Sequence, residues 1–220
     1  MKKSFLKIIC AIFCLFSFVF AEQDDRYIVL ENPIENAENS LIEIFSYDCP
    51  FCYKFDEVVK KIMCENTNLK FIPYHLATRG EFGVLGSEIF ANLIAYDNNK
   101  SVDLFDENSE FNRAKKAIFA AYHEKKERWG GVANENGKNA FLQTALSNSQ
   151  ISDFKFENNA TSVSEILNSW GLDKNGKAYE IAKILGVPAF VINGKYLIKT
   201  SSLRSFDDMA KLIKELSLKD

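Results

Sequence analysis

The chain has 220 residues, 47% of them hydrophobic, and sets 27 Lys and Arg against 30 Asp and Glu, for a formal charge of −3. That length is enough for one ample domain or a domain carrying a large insertion. A net acidic chain without a basic stretch argues against nucleic acid as a partner, because phosphate backbones demand clustered Lys and Arg.

The first element in chain order is an export signal. Lys2, Lys3 and Lys7 precede an apolar run from Ile8 to Phe20, and Ala21 offers a small residue for cleavage. The run falls short of the roughly 20 apolar residues that a membrane-spanning helix needs. Cleavage after Ala21 is therefore expected, which removes Cys10 and Cys14 and keeps Cys49, Cys52 and Cys64. Exported cysteines usually close structural disulfides between distant segments. Cys49-Pro50-Phe51-Cys52 would close a ring far too small to staple a fold, so the pair looks built to react.

Tyr27 to Leu30 reads as a short strand, and the unbroken apolar character of Leu41-Ile42-Glu43-Ile44-Phe45 suits a strand buried on both faces. The period then changes. Cys52, Phe55, Val59 and Ile62 recur at helical spacing, which predicts an amphipathic helix from residue 50 to about 65. Leu69 to Leu76 is a second strand, completing a strand–helix–strand unit and implying a partly parallel sheet. From Thr78 to Leu185 the pattern is helical, with predicted helices at 82–96, 102–124, 137–146, 162–170 and 177–185. Strand character returns at Ala189 to Ile192, and Asn193-Gly194 is a type I′ hairpin signal leading into Lys195 to Lys199. A last helix opens at Ser205. The order describes one sheet interrupted by a block of helices.

Cys49 follows a buried strand and opens a helix, with Pro50 at the first helical position, where proline is favoured. Its sulfur thus occupies the place of a helix cap, facing orphan backbone N–H groups and the positive end of the helix dipole. Both favour a thiolate, and Cys-x-x-Cys thiols at helix starts ionise below the usual value of about 8.5. Cys52 shares the stripe of Phe55 and Val59, so it should be buried, whereas Cys49 should point toward solvent. Cys49 is then the attacking and attacked sulfur and Cys52 the resolving one. A stabilised thiolate favours the reduced pair, by about 1.36 kcal/mol per pKa unit, which makes the disulfide an oxidant. Glu43, a lone carboxylate in an apolar strand, either faces a sheet edge and water or lies beneath Cys52 as a proton carrier with a raised pKa.

Rival readings of the pair are a half zinc site and a structural disulfide in a non-catalytic binding protein. Cys64 and His75 would complete a zinc ligand set on paper. An unbroken helix, however, separates Cys64 from Cys52 by about 18 Å at 1.5 Å per residue, so no metal and no cofactor is expected. Cys64 reads as a small core residue, and His75 and His123 as ordinary strand and helix residues. The segments 97–101 and 157–161, centred on Asn99 and Asn159, fit an acidic N-glycosylation sequon.

The stretch Phe45-Ser46-Tyr47-Asp48-Cys49-Pro50-Phe51-Cys52-Tyr53-Lys54-Phe55-Asp56-Glu57 resembles the active-site segment of the DsbA family of periplasmic disulfide oxidoreductases. Gly186-Val187-Pro188-Ala189-Phe190-Val191-Ile192-Asn193-Gly194-Lys195-Tyr196 resembles that family's second hallmark, and Tyr74-His75 also matches. The resemblance implies an α/β, thioredoxin-like fold from 22–77 and 176–220 with a helical insertion over 78–175. It further implies a cis Val187-Pro188 bond facing the cysteines, with Val187 offering backbone groups to a substrate peptide, and Glu43 at a buried acidic position. The implied activity is a monomeric periplasmic oxidase that donates the Cys49–Cys52 disulfide to exported proteins with reduced cysteines. Reoxidation would fall to a quinone-linked membrane protein of the DsbB or DsbI type. Two departures stand out. Pro73 occupies a position where many members carry a basic residue, and the dipeptide Pro50-Phe51 resembles the DsbL branch, which serves narrow clients such as arylsulfate sulfotransferase. Phe51 cannot donate a side-chain hydrogen bond to the Cys49 thiolate. A reductase or isomerase of the same fold is the alternative within the family. Known isomerases dimerise through an N-terminal domain, for which too few residues precede Cys49.

Overall fold

The computed structural model describes residues 24–219. The expected signal peptide, residues 1–21, lies outside them. Five strands form one sheet in the order β1-β5-β4-β2-β3: β1 Tyr27–Val29, β2 Ser40–Phe45, β3 Lys70–His75, β4 Ala189–Ile192 and β5 Tyr196–Ile198. β2 runs parallel to β3 and antiparallel to β4, and all six of its residues are buried. A strand covered on both faces explains its continuous apolar sequence. Pro73 lies in β3, at the edge of the sheet, where the missing N–H breaks no internal ladder.

Helix α1, Pro50–Glu65, leaves the end of β2 through the short turn that holds Cys49. The predicted stripe is present, with Cys52, Val59, Ile62 and Met63 buried. The hairpin also follows its sequence signal: Asn193 and Gly194 take φ of 52° and 66°. Gly194 is required there, because a Cβ would come within 2.2 Å of the Ile34 carbonyl oxygen. Helix α7, Phe206–Ser217, starts where expected, capped by the Ser205 hydroxyl.

Between β3 and β4 come α2 Gly83–Asn99, α3 Glu110–Phe119, α4 Glu135–Ala145, α5 Thr161–Trp170 and α6 Lys177–Leu185. Two of these differ from expectation. The helix predicted over 102–124 begins only at Glu110 and passes into a π-helical turn at Ala120–Glu124. Short acidic side chains bind the preceding backbone instead: Asp103 accepts from the Phe105 N–H and Asp106 from the Asn108 N–H. These local turns compete with helix, and Ser109 then caps α3. The second difference is at the end of α2, which runs through 97–99, where Asp97 is buried and serves as a second cap for α3. Its carboxylate accepts from the backbone N–H groups of Glu110 and Phe111. Asn99 therefore ends a helix, whereas Asn159 lies exposed in the loop before α5. Among the described residues no helix is long and apolar enough to cross a membrane.

Candidate active site

Cys49 is the N-cap of α1, with extended backbone and Pro50 at the first helical position. Its Sγ accepts the Cys52 backbone N–H at 3.2 Å, as a capping oxygen would. The cap itself is fixed from behind, since the Cys49 N–H donates to the Ser46 carbonyl at 3.1 Å. On the far side the Cys49 thiol donates to the Val187 carbonyl at 3.3 Å, across the cis Val187-Pro188 bond. The expectation that Cys49 points into solvent is corrected here. It is only 2% exposed, because the Val187-Pro188 loop lies over it. The exposed member of the motif is Phe51, at 59%.

The two sulfurs are driven apart in acidity. The Cys49 thiol is lowered to about 7, first by a hydrogen bond from the Cys52 side chain. Burial opposes that bond, while the Cys52 and Phe51 backbone N–H groups and the Arg79 guanidinium reinforce it. Phe51 thus contributes through its backbone what its ring cannot. Cys52 moves the other way, well above an ordinary thiol, chiefly because burial removes it from water. Arg79 is held near the site by a salt bridge to Asp48 at 3.2 Å, with Asp48 itself accepting from Ser46 at 2.7 Å.

Glu43 of β2 is fully buried, so the reading that put it at a sheet edge in water is excluded. Its register partners are Pro73 on β3 and Phe190 on β4, neither of which offers it a charge. The cation comes from elsewhere: Lys115 of α3 reaches Glu43 Oε2 at 2.9 Å and Asp56 Oδ1 of α1 at 2.8 Å. Burial raises the Glu43 carboxyl above its ordinary value in spite of Lys115. The Lys115 ammonium, which burial alone would weaken, is held above its ordinary value by the two acids.

Two histidines bracket the segment before Cys49. His75 is buried, with Nδ1 at 2.8 Å from the Ser87 hydroxyl, and burial lowers it to about 3. Its Nε2 accepts the Tyr47 N–H at 3.4 Å. His123, in the π-helical turn, lies 2.9 Å from the Tyr47 carbonyl and stacks on Tyr53 with ring centroids 5.0 Å apart. Turns of this kind often mark functional sites. Sequence reasoning assigned neither histidine to the site. It also passed over Lys115, although that residue sits as a lone cation among Phe111, Ala114, Ile118 and Phe119 on the buried face of α3. Cys64, expected in the core, is exposed in the last turn of α1. Among the described residues, no three His, Cys, Asp or Glu side chains converge as metal ligands.

No protein-family model matches the chain. Individual relatives do. It is 47% identical over 206 residues to the thiol:disulfide interchange protein DsbL of Escherichia coli, covering 91% of this chain and 88% of that one. It matches the crystal structure of DsbL from Salmonella enterica serovar Typhimurium with a TM-score of 0.77 and 45% identity, covering 90% of this chain and 98% of the other. The thiol:disulfide interchange protein DsbA of Yersinia pestis is more distant, at 27% identity over 96% of this chain and 94% of its own length. Because the likeness runs through the sheet and the helices between its halves, the chain belongs to the DsbA-like family of thiol:disulfide oxidoreductases and stands nearer to DsbL than to DsbA.

Proposed function

We propose that this oxidoreductase works as an oxidase, donating a Cys49–Cys52 disulfide to exported proteins that carry reduced cysteines. A substrate thiolate attacks Cys49 Sγ, the disulfide bond breaks, and Cys52 leaves with the electron pair. A second substrate thiolate then attacks the substrate sulfur and releases Cys49 as a thiolate. The observation that carries the division of roles is the placing of the two sulfurs within one turn of helix, with Cys49 as the N-cap accepting the Cys52 backbone N–H at 3.2 Å and lowered to about 7, and Cys52 buried and held well above an ordinary thiol. A sulfur stable as an anion is a good leaving group, and its partner keeps its proton while the first reacts.

Several finer assignments belong to the same proposal. Val187 and Pro188 present backbone groups to the substrate strand, Pro50 and Phe51 shape the entrance, and Glu43 supplies and reclaims the proton of Cys52. Residues 22–77 and 176–220 form the redox domain, with 78–175 inserted as a helical one. The protein works as a periplasmic monomer after loss of its signal peptide. Its disulfide is restored by a quinone-linked membrane partner of the DsbB or DsbI type, and an arylsulfate sulfotransferase is the client class suggested by the nearness to DsbL.

A Cys49 value of about 7 also suits a reductant, so the direction is decided by equilibration with glutathione. The oxidase reading expects a midpoint nearer about −120 mV than about −270 mV. A value at the lower end would make the protein a reductase.

A further inference from the structure

Two segments of the chain carry the same acidic sequon, and the fold treats them differently. Asp97-Asn98-Asn99-Lys100-Ser101 and Glu157-Asn158-Asn159-Ala160-Thr161 each set a carboxylate two residues before an asparagine and a hydroxyl two residues after it. Such a sequon is an acceptor only on a surface loop, where asparagine, acid and hydroxyl can be reached together. The first fails on backbone and on acid. Asn99 is the last residue of α2, and Asp97 is 1% exposed. The Asp97 carboxylate is committed to the start of α3, accepting from the Ser109 hydroxyl at 2.8 Å and from the Glu110 and Phe111 N–H groups at 3.0 and 2.9 Å.

The second sequon meets every condition. Residues 157–160 form a turn closed by the Ala160 N–H on the Glu157 carbonyl at 2.7 Å, with Asn158 and Asn159 as its central pair. Glu157, Asn159 and Thr161 are all exposed. Asn158 is the anchor. Its side-chain oxygen accepts from Asn92 Nδ2 of α2 at 2.8 Å, and its carbonyl accepts the Ser164 hydroxyl at 2.8 Å. Asn92 also accepts the Glu157 N–H at 2.7 Å. Among the described residues, no hydrogen bond engages the side chain of Glu157, Asn159 or Thr161. The turn is therefore held by its neighbour while the acceptor side chain stands clear.

We propose that Asn159 is an N-glycosylation site, served by an acid-requiring oligosaccharyltransferase with a lipid diphosphate-linked oligosaccharide as donor, and that Asn99 is not. Asn159 Nδ2 bonds to the anomeric carbon of the donor sugar. The bond from that carbon to the diphosphate oxygen breaks, the lipid diphosphate leaves with the electron pair, and the amide proton passes to a base of the transferase. Glu157 offers the transferase a negative charge and Thr161 a hydrogen-bonding hydroxyl. Transfer to Asn99 would first require the last turn of α2 and the Asp97 cap of α3 to come undone. The site rests on the proposed export of the chain and is independent of the direction of its redox reaction.

The test is transfer in vitro to the purified, folded protein, read by intact mass. The reaction contains an acid-requiring bacterial oligosaccharyltransferase and its lipid-linked oligosaccharide, with the transferase's own acceptor peptide as the control for activity. The wild type should gain one oligosaccharide, and Asn159→Gln should gain none. Asn99→Gln should gain one, as the wild type does. Glu157→Gln should lose most of the transfer, since it keeps the shape of the turn and removes only the charge. An unmodified wild type beside a modified control peptide overturns the proposal, as does transfer that survives Asn159→Gln. Because the reaction bypasses the membrane, failed export cannot imitate a failed site. A protein recovered from bacterial cells at a mass that retains residues 1–21 would sink the export reading alone.

Discussion

Helix α1 carries a cysteine at each end, and the two ends could hardly differ more. Cys49 caps the N-terminus, is almost fully buried, accepts a backbone N–H and faces the Val187 carbonyl. Cys64 lies in the last turn, exposed. The chemistry of the residue is the same at both positions. What differs is the surroundings: at the helix start Cys49 meets the Cys52 thiol first, then backbone N–H donors and the positive end of the dipole, whereas a helix end presents carbonyls. Reactivity is therefore a property of where in the helix the sulfur stands, and the chain has placed its redox pair at the only end that can stabilise an anion.

Substitutions along this one helix grade that comparison. Cys49→Ser should abolish disulfide exchange altogether, with no mixed disulfide recovered on non-reducing gels. Cys52→Ala should retain the first attack and stall there, so that mixed disulfides with client proteins accumulate through Cys49. Equal trapping by both variants would contradict the division of roles. Cys64→Ser should leave the rate of exchange within about twofold of wild type, since most surface substitutions change little. A large loss from Cys64→Ser would mean that the two ends of the helix are not as different as their backbone surroundings imply.

Much of this was legible in the sequence. The change of period after Phe45, the Pro at the first helical position and the Asn-Gly turn each follow from local backbone chemistry, and each stands in the structure. The lone Glu43 in an apolar strand was a visible anomaly, and the lone Lys115 in an apolar helical stripe was an equal one. Their partnership was not visible, because nothing local links positions 72 residues apart. The same holds for His123, which meets Tyr47 across 76 residues of chain. Burial of Cys49 escaped the reading for a related reason: a helix cap faces outward until another loop covers it, and here that loop is Val187-Pro188. The misplaced start of α3 has the opposite origin. Apolar spacing continued through 102–109, but Asp103 and Asp106 satisfied the backbone locally and removed the incentive to form helix.

The sign of the pH effect follows from the same sulfur. The folded Cys49 thiol ionises at about 7, below an unfolded cysteine at about 8.5. The thiolate thus adds stability to the reduced protein that is full above about pH 8.5 and is lost as the pH falls through about 7. The oxidised protein has no such thiolate and should lack the dependence.

The most direct measurement is the thiolate ultraviolet absorbance of the reduced protein as a function of pH, recorded in a Cys64→Ser background with the oxidised form as blank. An anion held at the helix start predicts one sulfur titrating with a midpoint of about 7, and that step should vanish in Cys49→Ser. Absence of any thiolate step below about 8.5 would contradict it.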